Sequence, residues 1–195
     1  MSVLKSLVDN TRTDKNTRHC YLDVYEQLFT PIRESAKNIL EVGIRDGGSM
    51  KLWYDFFPNA TIYGVDTMEE VKEIWSEIKK PRIKLLAHDA YDLNLLHAFT
   101  SSGTRFDMLL DDGPHTLDSM LFFAANYSPL LTPTGVLVIE DIPDPEWLPK
   151  IAAAFPERFR PYLLVADLRT PQRGVHDDIL MILDMSRVPP PPPPS

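Results

Sequence analysis

A chain of 195 residues, 44% of them hydrophobic, is long enough for one domain with a buried core and too apolar for wholesale disorder. Its formal net charge of −8 argues against a nucleic-acid partner gripped by a broad basic face, and its single cysteine, Cys20, excludes an internal disulfide framework and a cysteine-rich zinc site. No apolar run approaches the roughly 20 residues of a membrane helix, and Met1 to Arg12 lacks the apolar stretch of a secretion signal, so the expectation is a soluble, cytoplasmic protein without a membrane partner.

The elements alternate along the chain. Residues 1–37 read as a helical N-terminal region, with a helix pattern at Tyr21–Ser35. A strand-like run at Asn38–Ile44 empties into a glycine-bearing turn, and a helix pattern follows at Ser49–Phe57. Strand-like runs recur at Thr61–Val65, Ile83–Ala87, Phe106–Leu110, Gly135–Ile139, Tyr162–Ala166 and Ile179–Met185. Helix patterns lie between them at Met68–Lys79, Leu93–Phe99, Leu117–Leu131 and Trp147–Ala154. Strands alternating with helices predict an α/β fold with a parallel sheet covered on both faces. The gap from Arg169 to Asp178 is short for a crossover helix and predicts an antiparallel final pair. Residues 1–187 form the expected domain; the proline run that follows, within 188–195, reads as a polyproline extension, either a linker or a ligand for proline-binding modules.

Ligands of open α/β sheets bind beyond the carboxyl ends of the strands. Those ends are acidic here: Glu41, Asp66, His88-Asp89, Asp111-Asp112 and Glu140-Asp141. The first turn is not the dinucleotide pattern G-x-G-x-x-G, because Arg45 stands at the second glycine position. A nicotinamide cofactor needs backbone amides aimed at a pyrophosphate, whereas a cofactor without phosphates can be held through its amine and ribose by carboxylates. Glu41, Asp66 and the Asp89-Ala90 segment suit S-adenosylmethionine better than NAD. Adjacent strands lie about 4.8 Å apart, which lets Asp112, Glu140 and Asp141 converge. Clustered carboxylates repel unless a cation or proton sits among them, and oxygen ligands select a hard ion, Mg²⁺ first, with Ca²⁺ or Mn²⁺ as further options. His115 beside them is a candidate base. The competing reading is that Asp112 and Asp141 only cap the following helix and turn.

Taken together, Thr13-Asp14-Lys15 with His19 and Tyr21, Glu41-Val-Gly-Ile-Arg-Asp-Gly-Gly-Ser49 with Trp53, Gly64-Val-Asp66, Asp111-Asp-Gly-Pro-His115 and Val138-Ile-Glu-Asp141 resemble the class I S-adenosylmethionine-dependent methyltransferases. The closer match is the metal-dependent sugar O-methyltransferases of the macrocin and mycinamicin type. The resemblance spans roughly Thr11 to Asp184. It implies a Rossmann-like, seven-stranded sheet of order 3-2-1-4-5-7-6 with the seventh strand antiparallel. It implies that Glu41, Gly43, Gly48 and Ser49 hold the methionine part of the cofactor, Asp66 the ribose, and Asp89 and Ala90 the adenine, with Asp111 on the cofactor side. Asp112, Glu140 and Asp141 would bind Mg²⁺, and His115 would be the base. Thr13, Lys15 and His19 are either a lid over the cofactor or a solvated loop. Pro114 departs from the family's usual small polar residue, and only about forty residues precede the first strand, fewer than in the macrolide enzymes.

The expected function is therefore O-methylation of a sugar hydroxyl on a small molecule or glycan, by an enzyme able to oligomerise or to be joined to other domains. Alternatives are O-methylation of a catechol-like or phenolic hydroxyl, with Trp147, Tyr162 and His176 lining the acceptor pocket or merely packing, and a non-catalytic cofactor-binding module. A nicotinamide-dependent oxidoreductase lacks its phosphate-binding glycine.

Overall fold

The computed structural model describes residues 2–45, 47–67 and 80–187. The expected helix at Met68–Lys79 and the proline tail lie outside the described residues.

Seven strands form one sheet: β1 (Asn38–Val42), β2 (Thr61–Asp66), β3 (Ile83–Ala87), β4 (Phe106–Asp111), β5 (Leu131–Ile139), β6 (Leu163–Asp167) and β7 (Ile179–Asp184). Their order is β3-β2-β1-β4-β5-β7-β6, as the resemblance implies. The pairs from β3 to β5 are parallel, and β7 runs antiparallel to both β5 and β6, which is the closing pair expected from the short gap. Among the described residues six α-helices accompany them: α1 (Val3–Leu7), α2 (Leu22–Phe29), α3 (Gly48–Phe56), α4 (Leu93–Ser101), α5 (Leu117–Tyr127) and α6 (Leu148–Ala154).

Side chains alternate between the two faces of a strand, and this chain separates its core accordingly. Ile39, Met108, Leu110, Val136, Val138, Leu180 and Ile182 join one apolar cluster with Leu4, Tyr25, Phe29, Trp53 and Phe56, under α1, α2 and α3. Leu40, Val42, Leu109, Leu137, Ile139, Met181 and Leu183 join the other with Leu95, Phe99, Phe123, Tyr127 and Ile151, under α4, α5 and α6. This parity decides below which acid reaches which ligand.

Two helices stop earlier than their apolar patterns. The run Tyr21–Ser35 contains Pro31, and α2 ends at Phe29 before a 3₁₀ turn at Thr30–Ile32. Pro129 does the same to α5, followed by a 3₁₀ turn at Ser128–Leu130. Proline lacks the amide a continuing α-helix needs. Conversely β5 begins at Leu131 rather than Gly135, because a register shift against β4 between Phe106 and Met108 accommodates Pro133. The N-terminal region is tied down by Glu26, whose carboxylate accepts from the Val3 amide at 3.0 Å, the Leu4 amide at 2.9 Å and the Ser2 hydroxyl at 2.8 Å.

Candidate active site

The parallel ladder carries its carboxyl ends to one level. Val42 pairs with Val65 and Asp111, and Asp111 with Ile139. One residue further, the amides of Gly43, Asp112 and Glu140 still bond to Val65, Val42 and Asp111 carbonyls, at 2.9, 2.9 and 3.0 Å. Above this level opens a cleft of about 880 Å³, lined among others by Thr13, His19, Gly43, Ser49, Asp66, Asp89, Ala90, Asp112, His115 and Asp141. Its size suits a ligand as large as a nucleoside with an amino-acid arm.

The first turn is shaped for close approach. Gly43 has φ +79°, and a Cβ there would stand 1.8 Å from the Asp112 carbonyl oxygen. Gly48, opening α3, faces the Arg12 carbonyl, which a Cβ would meet at 2.4 Å. Asp66 Oδ2 accepts from the amides of Ile44 at 2.9 Å and Arg45 at 3.2 Å, so this acid also holds the turn after β1. Ser49 is buried at the start of α3, and Ala90 is buried beside the Asp89 segment.

Strand parity divides the acids. Glu41 faces the α3 side, where Oε2 accepts from Trp53 Nε1 at 3.0 Å. Glu41 is fully buried, its Oε1 lies 3.5 Å from Lys15 Nζ with no hydrogen-bond partner, and burial, against the opposing pull of Lys15, pushes its carboxyl up to about 7. Asp111 faces the opposite layer. The Tyr91 hydroxyl donates to its Oδ1 at 2.5 Å, its Oδ2 is an unpartnered buried atom, and burial again raises the carboxyl to about 7. Buried polar atoms without partners are costly and uncommon, so two of them at the strand ends mark places for ligand donors.

On the α2 side, Asp112, His115 and Asp141 form a group whose candidate ligand atoms all lie within 4.8 Å of one another. His115 Nε2 stands 3.7 Å from Asp112 Oδ1 and 3.6 Å from Asp141 Oδ2, too far for hydrogen bonds. His115 and Asp141 both hold left-handed backbone, at φ +53° and +54°. That conformation is uncommon for non-glycine residues and concentrates at functional sites. The Tyr21 hydroxyl donates to Asp141 Oδ1. Burial and then Asp112 push the Asp141 carboxyl up.

Glu140 stands apart from this group. Its side chain points between α2 and the N-terminal segment, where the Tyr25 hydroxyl donates to Oε1 and Lys15 Nζ donates to Oε2 at 2.6 Å. Lys15 and His19 are interior rather than solvated. Lys15 also donates to Asp112 Oδ2 at 2.6 Å, and His19 Nδ1 is 2.6 Å from Asp178 Oδ1. His19 stacks on Tyr21, with ring centroids 4.9 Å apart. Thr13 lines the cleft, and its Oγ1 accepts from the Lys15 amide at 3.5 Å. Of the three residues weighed for an acceptor pocket, His176 lies in a separate surface hollow near Arg169, and Trp147 and Tyr162 pack against the apolar cluster under α4 to α6.

Tyr25, Tyr91, Trp53 and Asp178 carry much of this arrangement, yet of these only Trp53 stood out in the sequence. Parity was the available signal. Counting from Leu109 and Leu110 places Asp111 and Asp112 in different layers, and counting from Val138 sends Glu140 toward the aromatic face of α2.

The buried Glu41 carboxylate yields a pH test. Its folded value of about 7 exceeds the ordinary 4.5, so the fold favours the protonated acid. That contribution to stability is complete below about 4.5 and lost as pH rises through 7, a change on the order of 2–3 kcal/mol. Urea unfolding at pH 5 and pH 8 is expected to show a shallower loss for Glu41→Gln than for the parent; equal slopes would contradict it.

The fold and site define a doubly wound α/β protein with an acid-lined cleft beyond the carboxyl ends of β1, β2 and β4. The chain belongs to the methyltransferase-domain family, whose model matches residues 40–142, more than half of its length. It is 29% identical over 142 residues to 8-demethyl-8-alpha-L-rhamnosyl tetracenomycin-C 2'-O-methyltransferase of Streptomyces olivaceus, covering 69% of this chain and 36% of that protein. It is 29% identical over 136 residues to mycinamicin VI 2''-O-methyltransferase of Micromonospora griseorubida, covering 66% of this chain and 33% of that one. The chain thus spans about a third of the length of these curated relatives. Among solved structures, the MycE methyltransferase of the mycinamycin pathway, in complex with Mg, SAH and mycinamycin VI, matches with a TM-score of 0.70 at 23% identity, over 93% of this chain and 54% of that one. This likeness establishes the Rossmann-like methyltransferase fold. Among the described residues no helix is long and apolar enough to cross a membrane.

Proposed function

We propose that this chain is an S-adenosylmethionine-dependent, Mg²⁺-assisted O-methyltransferase acting on a sugar hydroxyl of a small molecule or glycan. The observation that carries the reading is the group of Asp112, His115 and Asp141 at the edge of a nucleoside-sized cleft. The names of the two relatives, both sugar-directed O-methyltransferases, support the acceptor class.

The residues fit both ligands. Glu41 Oε1 and Asp111 Oδ2, buried and without hydrogen-bond partners, offer acceptors on either side of the first turn, and Gly43 leaves the backbone free of a side chain. Asp66 and the Asp89-Ala90 segment line the same cleft. The oxygen donors Asp112 and Asp141 suit a hard divalent ion, with Glu140 behind them. A bound divalent ion would supply Lewis acidity that lowers the pKa of an acceptor hydroxyl. Asp112 and Asp141 orient the acceptor, and His115 Nε2 accepts the hydroxyl proton as the oxygen takes the methyl group. The donor's carbon–sulfur bond breaks in the same step and leaves neutral S-adenosylhomocysteine. Holding acceptor and donor in line supplies much of the acceleration.

The test is methyl transfer from labelled S-adenosylmethionine to a panel of glycosides and catechols. Activity on glycosides should fall at least 100-fold in excess chelator and return with added Mg²⁺. Full turnover in chelator would remove the ion from the mechanism, and preference for catechols would replace the acceptor class.

A further inference from the structure

We propose that Lys15 is a built-in counter-charge that positions the ion-binding carboxylates, an inference that rests on the ion-assisted reading above. Its side chain is 2% exposed and its ammonium meets three acids: Asp112 Oδ2 at 2.6 Å, Glu140 Oε2 at 2.6 Å and Glu41 Oε1 at 3.5 Å. The first two are hydrogen bonds and the third is an ion pair at longer range, and the three acids come from three different strand ends, β4, β5 and β1. Lys15 therefore sits where the cofactor side and the ion side of the site adjoin.

The direction of Asp112 follows from this contact. Oδ2 is taken by Lys15, which leaves Oδ1 toward His115 Nε2 and Asp141. Glu140 is fixed on both oxygens, by Lys15 and by Tyr25. Two carboxyl oxygens at 2.6 Å are the surroundings that suit an ammonium rather than a neutral amine. The lysine is itself anchored: its carbonyl accepts from the Tyr21 amide at 3.1 Å, and His19, four residues on, is pinned to Asp178. The N-terminal segment is thus part of the site's wall, which is also why the Arg12 carbonyl leaves no room for a side chain at Gly48. A buried positive charge beside Asp112 does two things. It holds the acids together when no ion is bound, and it opposes a divalent ion when one arrives.

The two roles separate in one experiment. Mn²⁺ binding by calorimetry and paramagnetic resonance, S-adenosylhomocysteine binding, and kcat with a glycoside acceptor are measured for the parent, Lys15→Met and Lys15→Arg. For folded Lys15→Met, Mn²⁺ should bind at least tenfold tighter while kcat falls at least 30-fold. S-adenosylhomocysteine affinity should stay within about fivefold. Lys15→Arg keeps the charge but cannot bring a planar fork to three converging oxygens. It should bind Mn²⁺ within threefold of the parent and lose at least tenfold in kcat, which also serves if the methionine variant fails to fold. Unchanged or weaker Mn²⁺ binding in folded Lys15→Met, or parental kcat in Lys15→Arg, would overturn the inference. A parent that binds no Mn²⁺ would instead bring down the ion-assisted reading and this inference with it.

Discussion

Replacing His115 with alanine is expected to lower kcat for methyl transfer by about 10³-fold, with S-adenosylhomocysteine affinity within threefold of the parent. The magnitude is that of a lost general base. The separation follows from placement: His115 stands with Asp112 and Asp141, across the cleft from the Asp66 and Asp89-Ala90 end. A base also leaves a pH signature. In the variant, residual activity should climb with hydroxide, which takes over the proton that the missing base would accept. A variant that loses cofactor affinity in parallel with kcat would show that His115 shapes the pocket rather than taking a proton.

The second large effect is on folding. Gly43→Ala places a methyl group 1.8 Å from the Asp112 carbonyl oxygen in a backbone with φ +79°. The left-handed conformation alone costs an L-residue about 1–2 kcal/mol. The clash is with backbone of β4's end, which cannot rotate away, so the total should reach at least about 3 kcal/mol against a typical stability of 5–15. Calorimetry should register a drop in Tm of roughly 6–12 °C, or no folded protein. A Tm within 2 °C of the parent would mean that the first turn can move away from β4, contrary to the ladder bond from the Asp112 amide to the Val42 carbonyl.

The sheet was legible because its central strands are largely buried on both faces and so read as mostly apolar runs, interrupted by Glu41 in β1 and Asp107 in β4. Ile83–Ala87 even matches at both ends. Helix ends were less legible where Pro31 and Pro129 converted the last turn to 3₁₀, because apolar residues continue past the point where the hydrogen bonding changes. The acids of the site could be found but not aimed. Asp112, His115 and Asp141 come together, while Glu140 does not join them, because strand periodicity points it at Tyr25 and Lys15. Lys15 and His19 were recognisable only through resemblance. They lie more than ninety residues from their main partners Asp112, Glu140 and Asp178, and no local pattern records a contact of that range.

The opposite facing of Asp111 and Asp112 has a consequence for how such a protein diversifies. Inserting or deleting one residue inside β4 would exchange the two carboxylates between layers, leaving the tyrosine pocket with the wrong acid and Lys15 without its partner. No graded path leads through that change. Segments joining the strands are free of this constraint, so new acceptors are to be sought by lengthening or swapping the connections after β5 and β6, with strand lengths left as they are.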